Sequence, residues 1–517
     1  MELIERSMIL PTQQSVCSIQ GFDSCQLHDL IRDISIEKSM EENLVVRLEE
    51  GCSSNPRGAV RHLAISSNWE GDEHELKSTV ELSRIRSLIV FGKWRSFYIS
   101  AKMRFLRVLD LEGTDGLKDH HLKHIGELLH LKYLSLRGCC NIYNLPDSVG
   151  NLRQLETLDI KQTSIAMLPK NIIKLIKLCY LHAGSNYTGG EEKDCLTKCL
   201  EILELQCELC PFCCLCEQLD MDDFSRHDIC TIGCCIMFPN IIRGLDEYGV
   251  KVPRGTRKLK ALRILRYVHL AWGNTIIKEI KGLTSLRKLG VVGINKINGP
   301  EFCSAISNLR LLESLSVRSG DSLTGCLDAI STAPENLQSV KLSGSLEELP
   351  KWIMGLQNLV KLKLEFVGLS CNRAAMQALE NLPNLSILGL WERQFKMDVL
   401  HFQGGVFRRL TVLDLFYKRM EIKLVDFEKE SMPNLEMLTL RLSDTETAFS
   451  GLEFLQSIKE VRLYVNFTFI SIPRENMTFE EREKEAEKKT KTMKDKVRED
   501  LRIQLDSNKN RPVLKVE

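Results

Sequence analysis

The sequence predicts an α/β solenoid, in which short repeats stack side by side and each adds one strand to a parallel sheet. Three observations support this prediction. The chain has 517 residues, which is long for one compact domain. Its composition is that of an ordered protein, with 43% hydrophobic and 27% charged residues. A pattern of the form L-x-x-L-x-L recurs along the chain, so we expect a repeat array rather than one globular core.

The pattern returns at a nearly constant interval. Its copies begin at Leu106, Leu131, Leu155, Leu178, Leu262, Leu286, Leu312, Leu337, Leu359, Leu385, Leu410, Leu435 and Ile458, of which the Leu178 and Leu262 copies match poorly; weaker copies begin at His62 and Ile85. Eleven of the twelve steps between the stronger copies span 22 to 26 residues, within the range of about 20 to 29 typical of leucine-rich repeats. Alternate leucines face one side of a strand, and no single repeat can bury them alone. The prediction is a leucine-rich-repeat horseshoe with parallel strands on its concave face.

Charge and hydropathy exclude several classes of protein. The net charge is +1, from 70 basic and 69 acidic residues, so nucleic acid is not expected as the main partner. No apolar run reaches the roughly 18 to 20 residues that span a bilayer, and the first residues lack the apolar core of a secretion signal. We expect a cytoplasmic or nuclear protein. No nucleophile is paired with a base in a recognisable motif, so no catalytic residue is assigned and the chain is not expected to be an enzyme.

Composition divides the chain into five segments. Residues 1–46 precede the repeats, residues 47–185 form an N-terminal repeat array, and residues 186–248 form a Cys-rich insertion that we expect to be irregular. Residues 249–472 form a C-terminal repeat array, and residues 473–517 form a charged helical tail. In the first segment we expect a strand leading into a helix that Asp29 caps, with an apolar face of Leu30, Ile31 and Ile34.

Several motifs resemble those of plant coiled-coil nucleotide-binding leucine-rich-repeat disease-resistance receptors of the cereal type. Residues 2–9 and 25–33 are similar to the end of the winged-helix domain of that family, and Leu27-His28-Asp29 matches its Met-His-Asp motif with Leu in place of Met. Further similar stretches are residues 58–65, 349–353 and 510–516. The resemblance implies a partial winged-helix segment before the repeats.

The resemblance also implies a function in plant innate immunity. The repeats would bind a protein ligand, either a pathogen effector or a guarded host protein, and would contact the nucleotide-binding domain of a full-length receptor. His28 would contact the β-phosphate of bound ADP, and Asp29 would orient it. The sequence contains no G-x-x-x-x-G-K-[ST] motif, so we expect this chain not to bind ADP or ATP by itself.

The insertion holds ten of the 19 cysteines. The spacing of Cys207, Cys210, Cys230 and Cys234 could provide four thiolates for Zn²⁺. The cysteines crowd irregularly, however, and a loosely packed loop without metal is the favoured interpretation. Retained non-coding sequence is a third alternative.

The tail is expected to form a helix over residues 479–505. Its apolar residues, Phe479, Ala486, Met493, Val497, Leu501 and Leu505, lie on one face. We favour a cap on the last repeat over a coiled-coil partner site.

Two columns of polar and aromatic residues are the candidate binding site. The residue after the last leucine of each strand is expected to point into solvent on the concave face. In the C-terminal array that column contains Glu365, Trp391, Phe416, Arg441 and Tyr464, and the neighbouring column contains Lys363, Asp414 and Arg462; the N-terminal array has Glu112, Arg137 and Lys161. Trp, Tyr and Arg are enriched at binding hot spots, which predicts a protein ligand; the alternative is that these residues are buried packing.

Two other functions remain open. A substrate-binding ubiquitin-ligase adaptor would also use repeats of this kind, but it would need an F-box-like helical segment that residues 1–46 do not resemble. The other is a truncated, non-signalling decoy or pseudogene product.

Overall fold

The computed structural model describes residues 9–11, 25–42, 44–50, 60–184, 249–270, 275–330, 332–346, 348–365, 373–392, 399–417, 423–442, 447–465 and 479–516. They fall into two compact units. We call Leu27–Ile294 the N-terminal unit, and Asn295–Glu517 together with Met1–Gln26 the C-terminal unit. The predicted zinc ligands Cys207, Cys210, Cys230 and Cys234 lie outside the described residues.

The residues before the repeats form the predicted strand and helix. Strands β1 (Ile9–Pro11) and β2 (Cys25–Leu27) are followed by helix α1 (Asp29–Glu41). The prediction that Asp29 caps this helix is wrong. The Leu30 amide donates instead to Nδ1 of His28, at 3.2 Å, and Asp29 pairs with Arg32 at 3.1 Å. Leu30 and Ile34 are 63% and 46% exposed, so the apolar face is not packed within the part of the chain that the structure describes.

The N-terminal unit is built on one parallel sheet whose strands follow chain order. They are β3 (Val45–Leu48), β4 (His62–Ile65), β5 (Ser87–Val90), β6 (Val108–Asp110), β7 (Tyr133–Ser135), β8 (Thr157–Asp159), β9 (Tyr180–His182), β10 (Ile264–His269) and β11 (Lys288–Val292). One leucine from each of β4 to β11 aligns in register, and each is at most 2% exposed: Leu63, Leu88, Leu109, Leu134, Leu158, Leu181, Leu265 and Leu289. The α/β leucine-rich-repeat fold predicted from the leucine spacing is confirmed.

The two repeats that match the pattern poorly contribute adjacent strands to the sheet. Leu181 of β9 pairs with Leu265 of β10 in the same register as the other strands, although the Cys-rich segment separates them in sequence. Leu178 and Leu262, which begin these copies, are both fully buried. The repeat array therefore continues across the insertion.

Short helices return the chain from one strand to the next. Pro146 and Pro169 cap the 3₁₀ helices Asp147–Asn151 and Lys170–Lys174, since proline suits the first turn, where its missing N–H is not needed. The other helices of this unit are the 3₁₀ helices Leu82–Arg84, Ser96–Tyr98, Asp119–Leu122, Ile125–Glu127 and Thr256–Lys258, with α2 (Glu73–Thr79) and α3 (Thr275–Lys281).

The C-terminal unit has two parallel sheets. The larger contains β12 (Ser314–Ser322), β13 (Ser339–Ser345), β14 (Lys361–Glu365), β15 (Ile387–Glu392), β17 (Val412–Tyr417), β19 (Met437–Leu442), β21 (Glu460–Val465) and β22 (Val513–Val516) in that order. The smaller contains β16 (Val399–Phe402), β18 (Leu424–Phe427) and β20 (Ala448–Ser450). Helices α4 (Gly299–Ile306), α5 (Lys351–Met354), α6 (Arg373–Glu380) and α7 (Phe479–Asp506) and the 3₁₀ helix Leu452–Phe454 connect the strands.

An asparagine ladder links the turns that precede these strands. Each side-chain amide donates to the backbone carbonyl of the preceding repeat. The pairs are Asn336 to Arg310, Asn358 to Glu335, Asn384 to Gln357, Asn434 to Arg408 and Asn510 to Gln456, the first four at 2.6 to 2.9 Å. The ladder satisfies carbonyls that the sheet does not reach. For the first four residues it explains the Asn immediately before the L-x-x-L pattern, a recurrence from which no contact was predicted.

The charged tail returns to the sheet. The residues of the predicted stripe whose side chains are described, Val497, Leu501 and Leu505, are at most 3% exposed. After α7, Asn508 donates to the carbonyls of Leu452 and Leu455 at 2.8 and 3.0 Å, and β22 pairs with β21. The buried stripe agrees with the cap alternative, and the tail also supplies a further strand that was not predicted.

Replacing Asn508 with Ala should destabilise the C-terminal unit, because the buried Leu455 carbonyl loses its donor and the Leu452 carbonyl keeps the Leu455 amide, at 3.4 Å. We expect the free energy of unfolding to fall by about 2 kcal/mol, measured by chemical denaturation followed by circular dichroism. The exposed neighbour Lys509 provides the control, since Lys509→Ala should change stability by less than about 0.5 kcal/mol. Equal stability of the two variants would show that Asn508 does not anchor the tail.

Candidate functional site

The strands of the C-terminal unit align the predicted site residues in two columns. Register pairs Glu365, Trp391, Phe416, Arg441 and Tyr464 along β14, β15, β17, β19 and β21. The second column runs through Lys363, Gly389, Asp414, Thr439 and Arg462. The predicted columns therefore exist as neighbours on one face of the sheet, which we call the strand face.

Glu365 is the buried centre of the first part of the strand face. Its side chain is 2% exposed, and the Nζ atoms of Lys341 and Lys363 lie 2.8 and 3.0 Å from its Oε1. Arg318 approaches Oε2 at 3.9 Å. Burial opposes ionisation of this carboxyl, but the two lysines outweigh burial, so the pKa of Glu365 lies below its ordinary value. Burial lowers the pKa of Lys341 to about 8, although Glu365 acts in the opposite direction.

Trp391 links this ionic group to the next strand. Its indole N–H donates to Oδ2 of Asp414 at 2.8 Å, and Lys363 Nζ lies 3.3 Å from the centre of its ring, a cation–π contact. The neighbouring Gly389 makes room for this contact, because a Cβ there would lie 2.9 Å from Cγ of Lys363. Glycine at this position therefore lets the lysine side chain cross β15.

Arg441 occupies the more open end of the strand face. Its Nε donates to Oδ1 of Asp414 at 3.1 Å, so Asp414 holds Trp391 and Arg441 together. The guanidinium carbon lies 4.2 Å from the ring centre of Tyr464 and 5.3 Å from that of Trp391. The Phe416 ring lies 5.6 Å from Trp391. Arg441, Phe416 and Tyr464 are half-buried, so each presents part of its side chain to solvent.

The expectation that all these side chains point into solvent is wrong. Five of the eight are buried, at most 8% exposed: Lys363, Glu365, Trp391, Asp414 and Arg462. Adjacent strands lie about 4.8 Å apart, so long side chains of opposite charge lie across one another and exclude water. The packing alternative is therefore correct for these five, and the partly exposed surface consists of Phe416, Arg441 and Tyr464.

Two basic residues of the site were not predicted. Arg318 and Lys341 lie on β12 and β13, one or two strands before the predicted columns. The signal was available, because Lys341 stands in register with Lys363 and Arg318 lies in the column that leads to Glu365. The end of the strand face is also ionic, with Glu460 between Arg462 and Lys515.

The N-terminal array has a smaller charged group at the positions predicted there. The Arg137 guanidinium lies 2.8 Å from Asp159 and 4.0 Å from Glu112, and Asp159 also accepts from the Lys161 amide at 3.0 Å. Burial lowers the pKa of the neighbouring His182. This group ties adjacent strands together.

The predicted nucleotide-sensing motif lies in the residues that precede the repeats. His28 and Asp29 are exposed at the start of α1, and nothing in the structure tests the phosphate role. Among the residues that the structure describes, no group of three His, Cys, Asp or Glu side chains is arranged to hold a metal ion, and no helix is both long and apolar enough to cross a membrane.

Comparison with known proteins identifies the class to which this array belongs. A family model described as a leucine-rich repeat region matches residues 84–213 and 244–514, so the chain belongs to the leucine-rich-repeat family. Within that class it is similar to the disease resistance proteins Pik-2 and RGA4 of Oryza sativa subsp. japonica, each 26% identical over 90% of this chain and covering 45% and 40% of those proteins. A probable disease resistance protein of Arabidopsis thaliana is 25% identical, with 90% and 46% covered. The predicted resemblance to cereal disease-resistance proteins is confirmed, and the chain spans less than half the length of these relatives.

Solved structures also match. A leucine-rich-repeat protein of Leptospira interrogans is 17% identical with a TM-score of 0.43, covering 82% of this chain and 93% of that one. The Arabidopsis receptor kinase HAESA, solved with a peptide hormone and a co-receptor, is 14% identical with a TM-score of 0.37, covering 80% and 64%.

The stability of the C-terminal unit should depend on the ionisation of Glu365. The pKa of this carboxyl is lower in the folded than in the unfolded chain, so its contribution is complete above the unfolded-state value of about 4.3 and is lost as pH falls through the folded-state value. Glu365→Gln should lower stability at neutral pH by about 3 kcal/mol, since the buried Lys363 and the half-buried Lys341 lose their partner. Between neutral pH and about pH 3 the variant should lose less stability than the wild type.

Chemical denaturation at a series of pH values measures this difference. Glu348→Gln, at an exposed carboxylate, controls for the general effect of acid. Parallel pH profiles for wild type and Glu365→Gln would show that Glu365 is not stabilised as a carboxylate.

Proposed function

We propose that this chain recognises a protein ligand through its strand face, as the leucine-rich-repeat part of a plant disease-resistance receptor. The observation that carries the proposal is the arrangement of three partly exposed side chains, Phe416, Arg441 and Tyr464. Buried residues of the strand face hold them in place. We call these buried residues the ionic layer; they are Lys363, Glu365, Trp391, Asp414 and Arg462. Arginine and tyrosine are among the residue types that dominate protein interfaces. The named function of the relatives, disease resistance, supports a ligand connected with infection.

The buried layer gives the exposed groups a fixed geometry. Arg441 is held by Asp414, and Asp414 is held by the Trp391 indole. A guanidinium that is already oriented loses less conformational freedom on binding than a free one. The ionic layer thus prepares the surface for a ligand, while its own residues contact the ligand little.

The ligand would be a pathogen effector or a guarded host protein. In a longer receptor the repeats would also contact a nucleotide-binding domain, and ADP or ATP would be bound there and not by this chain. We place the protein in the cytoplasm or nucleus and assign it no catalytic activity.

Binding should depend on the three partly exposed residues. Phe416→Ala, Arg441→Ala and Tyr464→Ala should each weaken ligand binding by about tenfold or more, which corresponds to at least 1.4 kcal/mol, in the range of hot-spot residues. The ligand is first captured on the immobilised chain from extract of infected leaves, identified by mass spectrometry, purified and then titrated by calorimetry. Trp391→Ala is unsuitable, because truncating a buried Trp costs about 3 to 5 kcal/mol of stability.

The matched control is Arg408→Ala, an exposed arginine on the turn before β17. It should bind like the wild type. If all three strand-face variants also bind with wild-type affinity while remaining folded, the ligand uses another surface and this proposal is wrong.

A further inference from the structure

The turns of the N-terminal unit form a second row with its own character. We define the turn row as the two turn residues and the residue just before the strand, in each of the six repeats that lead into β6 to β11. It consists of Arg104, Phe105, Arg107, Leu129, His130, Lys132, Arg153, Gln154, Glu156, Ile176, Lys177, Cys179, Lys260, Ala261, Arg263, Thr284, Ser285 and Arg287. Since the strands are neighbours in register, these positions lie side by side along one edge of the sheet.

The turn row is strongly basic, although the whole chain is nearly neutral. Eight of its eighteen residues are basic and one, Glu156, is acidic. The basic residues are Arg104, Arg107, Lys132, Arg153, Lys177, Lys260, Arg263 and Arg287, and all eight are exposed. Glu156 neutralises one of them, since Lys132 lies 2.8 Å from it. The turn row therefore has a large positive excess, because its eight basic side chains are exposed and Glu156 is its one acidic residue.

Three large apolar side chains stand among these cations. Phe105, Leu129 and Ile176 are 58%, 54% and 61% exposed. They belong to the repeats of β6, β7 and β9, so three strand spacings, about 14 Å, separate the first from the last. Water contact with apolar side chains is unfavourable, and their concentration in a basic row marks a surface that is covered in use.

The same positions in the C-terminal unit show that the fold does not require this composition. In the C-terminal unit these positions include the asparagines of the ladder. Of the twenty-four equivalent residues, five are basic (Arg310, Arg408, Arg409, Lys459, Lys509) and three acidic (Glu313, Glu335, Glu436), and Lys459 is paired with Glu436 at 2.8 Å. At these positions one large apolar residue, Leu311, is exposed, at 46%. The turn row thus has an excess of seven basic residues against two here, and three exposed apolar side chains against one, which is the pattern expected of a binding surface.

We propose that the turn row binds the surface of a membrane rich in anionic phospholipid. Lysine and arginine are attracted to anionic headgroups, and exposed Phe, Leu and Ile enter the boundary between headgroups and acyl chains. Long basic side chains can also lay their apolar stems on that boundary. Nucleic acid would use the cations but leave Leu129 and Ile176 in water. Separated apolar side chains that protrude from the row suit a lipid surface. A peptide ligand would instead need a concave pocket to receive its side chain.

The test measures co-sedimentation of the full chain with lipid vesicles. Vesicles of phosphatidylcholine mixed with phosphatidylserine should retain the chain, and vesicles of phosphatidylcholine alone should retain far less. The triple variant Arg104→Glu, Arg107→Glu, Arg263→Glu should bind the anionic vesicles at least about tenfold more weakly, since each basic residue near a membrane contributes to binding. The variant Phe105→Ser, Leu129→Ser, Ile176→Ser should also bind more weakly, and its remaining binding should be more sensitive to salt.

A charge-matched control sits at the equivalent turns of the C-terminal unit. Arg310→Glu, Arg408→Glu, Lys509→Glu changes net charge by the same amount and should bind like the wild type; circular dichroism establishes that all variants are folded. Equal loss in the control, or equal retention by neutral and anionic vesicles, would overturn the proposal. Failure to bind any vesicle, with retention on immobilised polyglutamate, would also overturn it and assign the row to an acidic protein.

Discussion

Burial of the alternate leucines of each strand is the constraint on which the rest of this structure depends. Leu109 and Leu134 are fully buried only because each lies beside its counterpart in the next repeat. One repeat offers no second layer against which to pack them, so the repeats must stack, and stacking fixes the register. The register then decides which outward side chains become neighbours. The charged and aromatic side chains of the strand face and of the turn row owe their positions to this register.

The stacking also explains why the strand face is largely closed. Residues that are about 25 positions apart in sequence come within one strand spacing, and long side chains fill the space between strands. Glu365, with lysines from two strands around it, is as buried as many leucines. A buried ionic layer of this kind adds little to stability compared with apolar packing, but it fixes where Arg441 and Tyr464 stand. The two sides of the same strands therefore have different functions, with the leucines holding the array together and the ionic layer shaping the surface.

The sequence was most informative where spacing alone decides the outcome. The interval between leucines predicted the parallel sheet, and β9 and β10 pair in register even though their copies match the pattern poorly. It also predicted which residues share a column, as Glu365 and Trp391 do. It could not predict their burial, because that depends on how far Lys363 reaches across Gly389. Asp29 was predicted as a helix cap from its residue type, but the Leu30 amide donates to His28 instead. The strand β22 was missed because a long helix interrupts the usual interval before it.

The return of β22 to the sheet has a consequence for the order in which the array opens and closes. Glu460 of β21 pairs with Val513, more than twice the usual distance along the chain, so this contact closes the longest loop of the C-terminal sheet and costs the most chain entropy to form. Asn508 and the buried side of α7 hold the tail against the repeats before it. Segments that share such contacts open together. We therefore expect hydrogen exchange in β21 and β22 to follow release of the tail as one cooperative piece rather than the gradual loss of single strands.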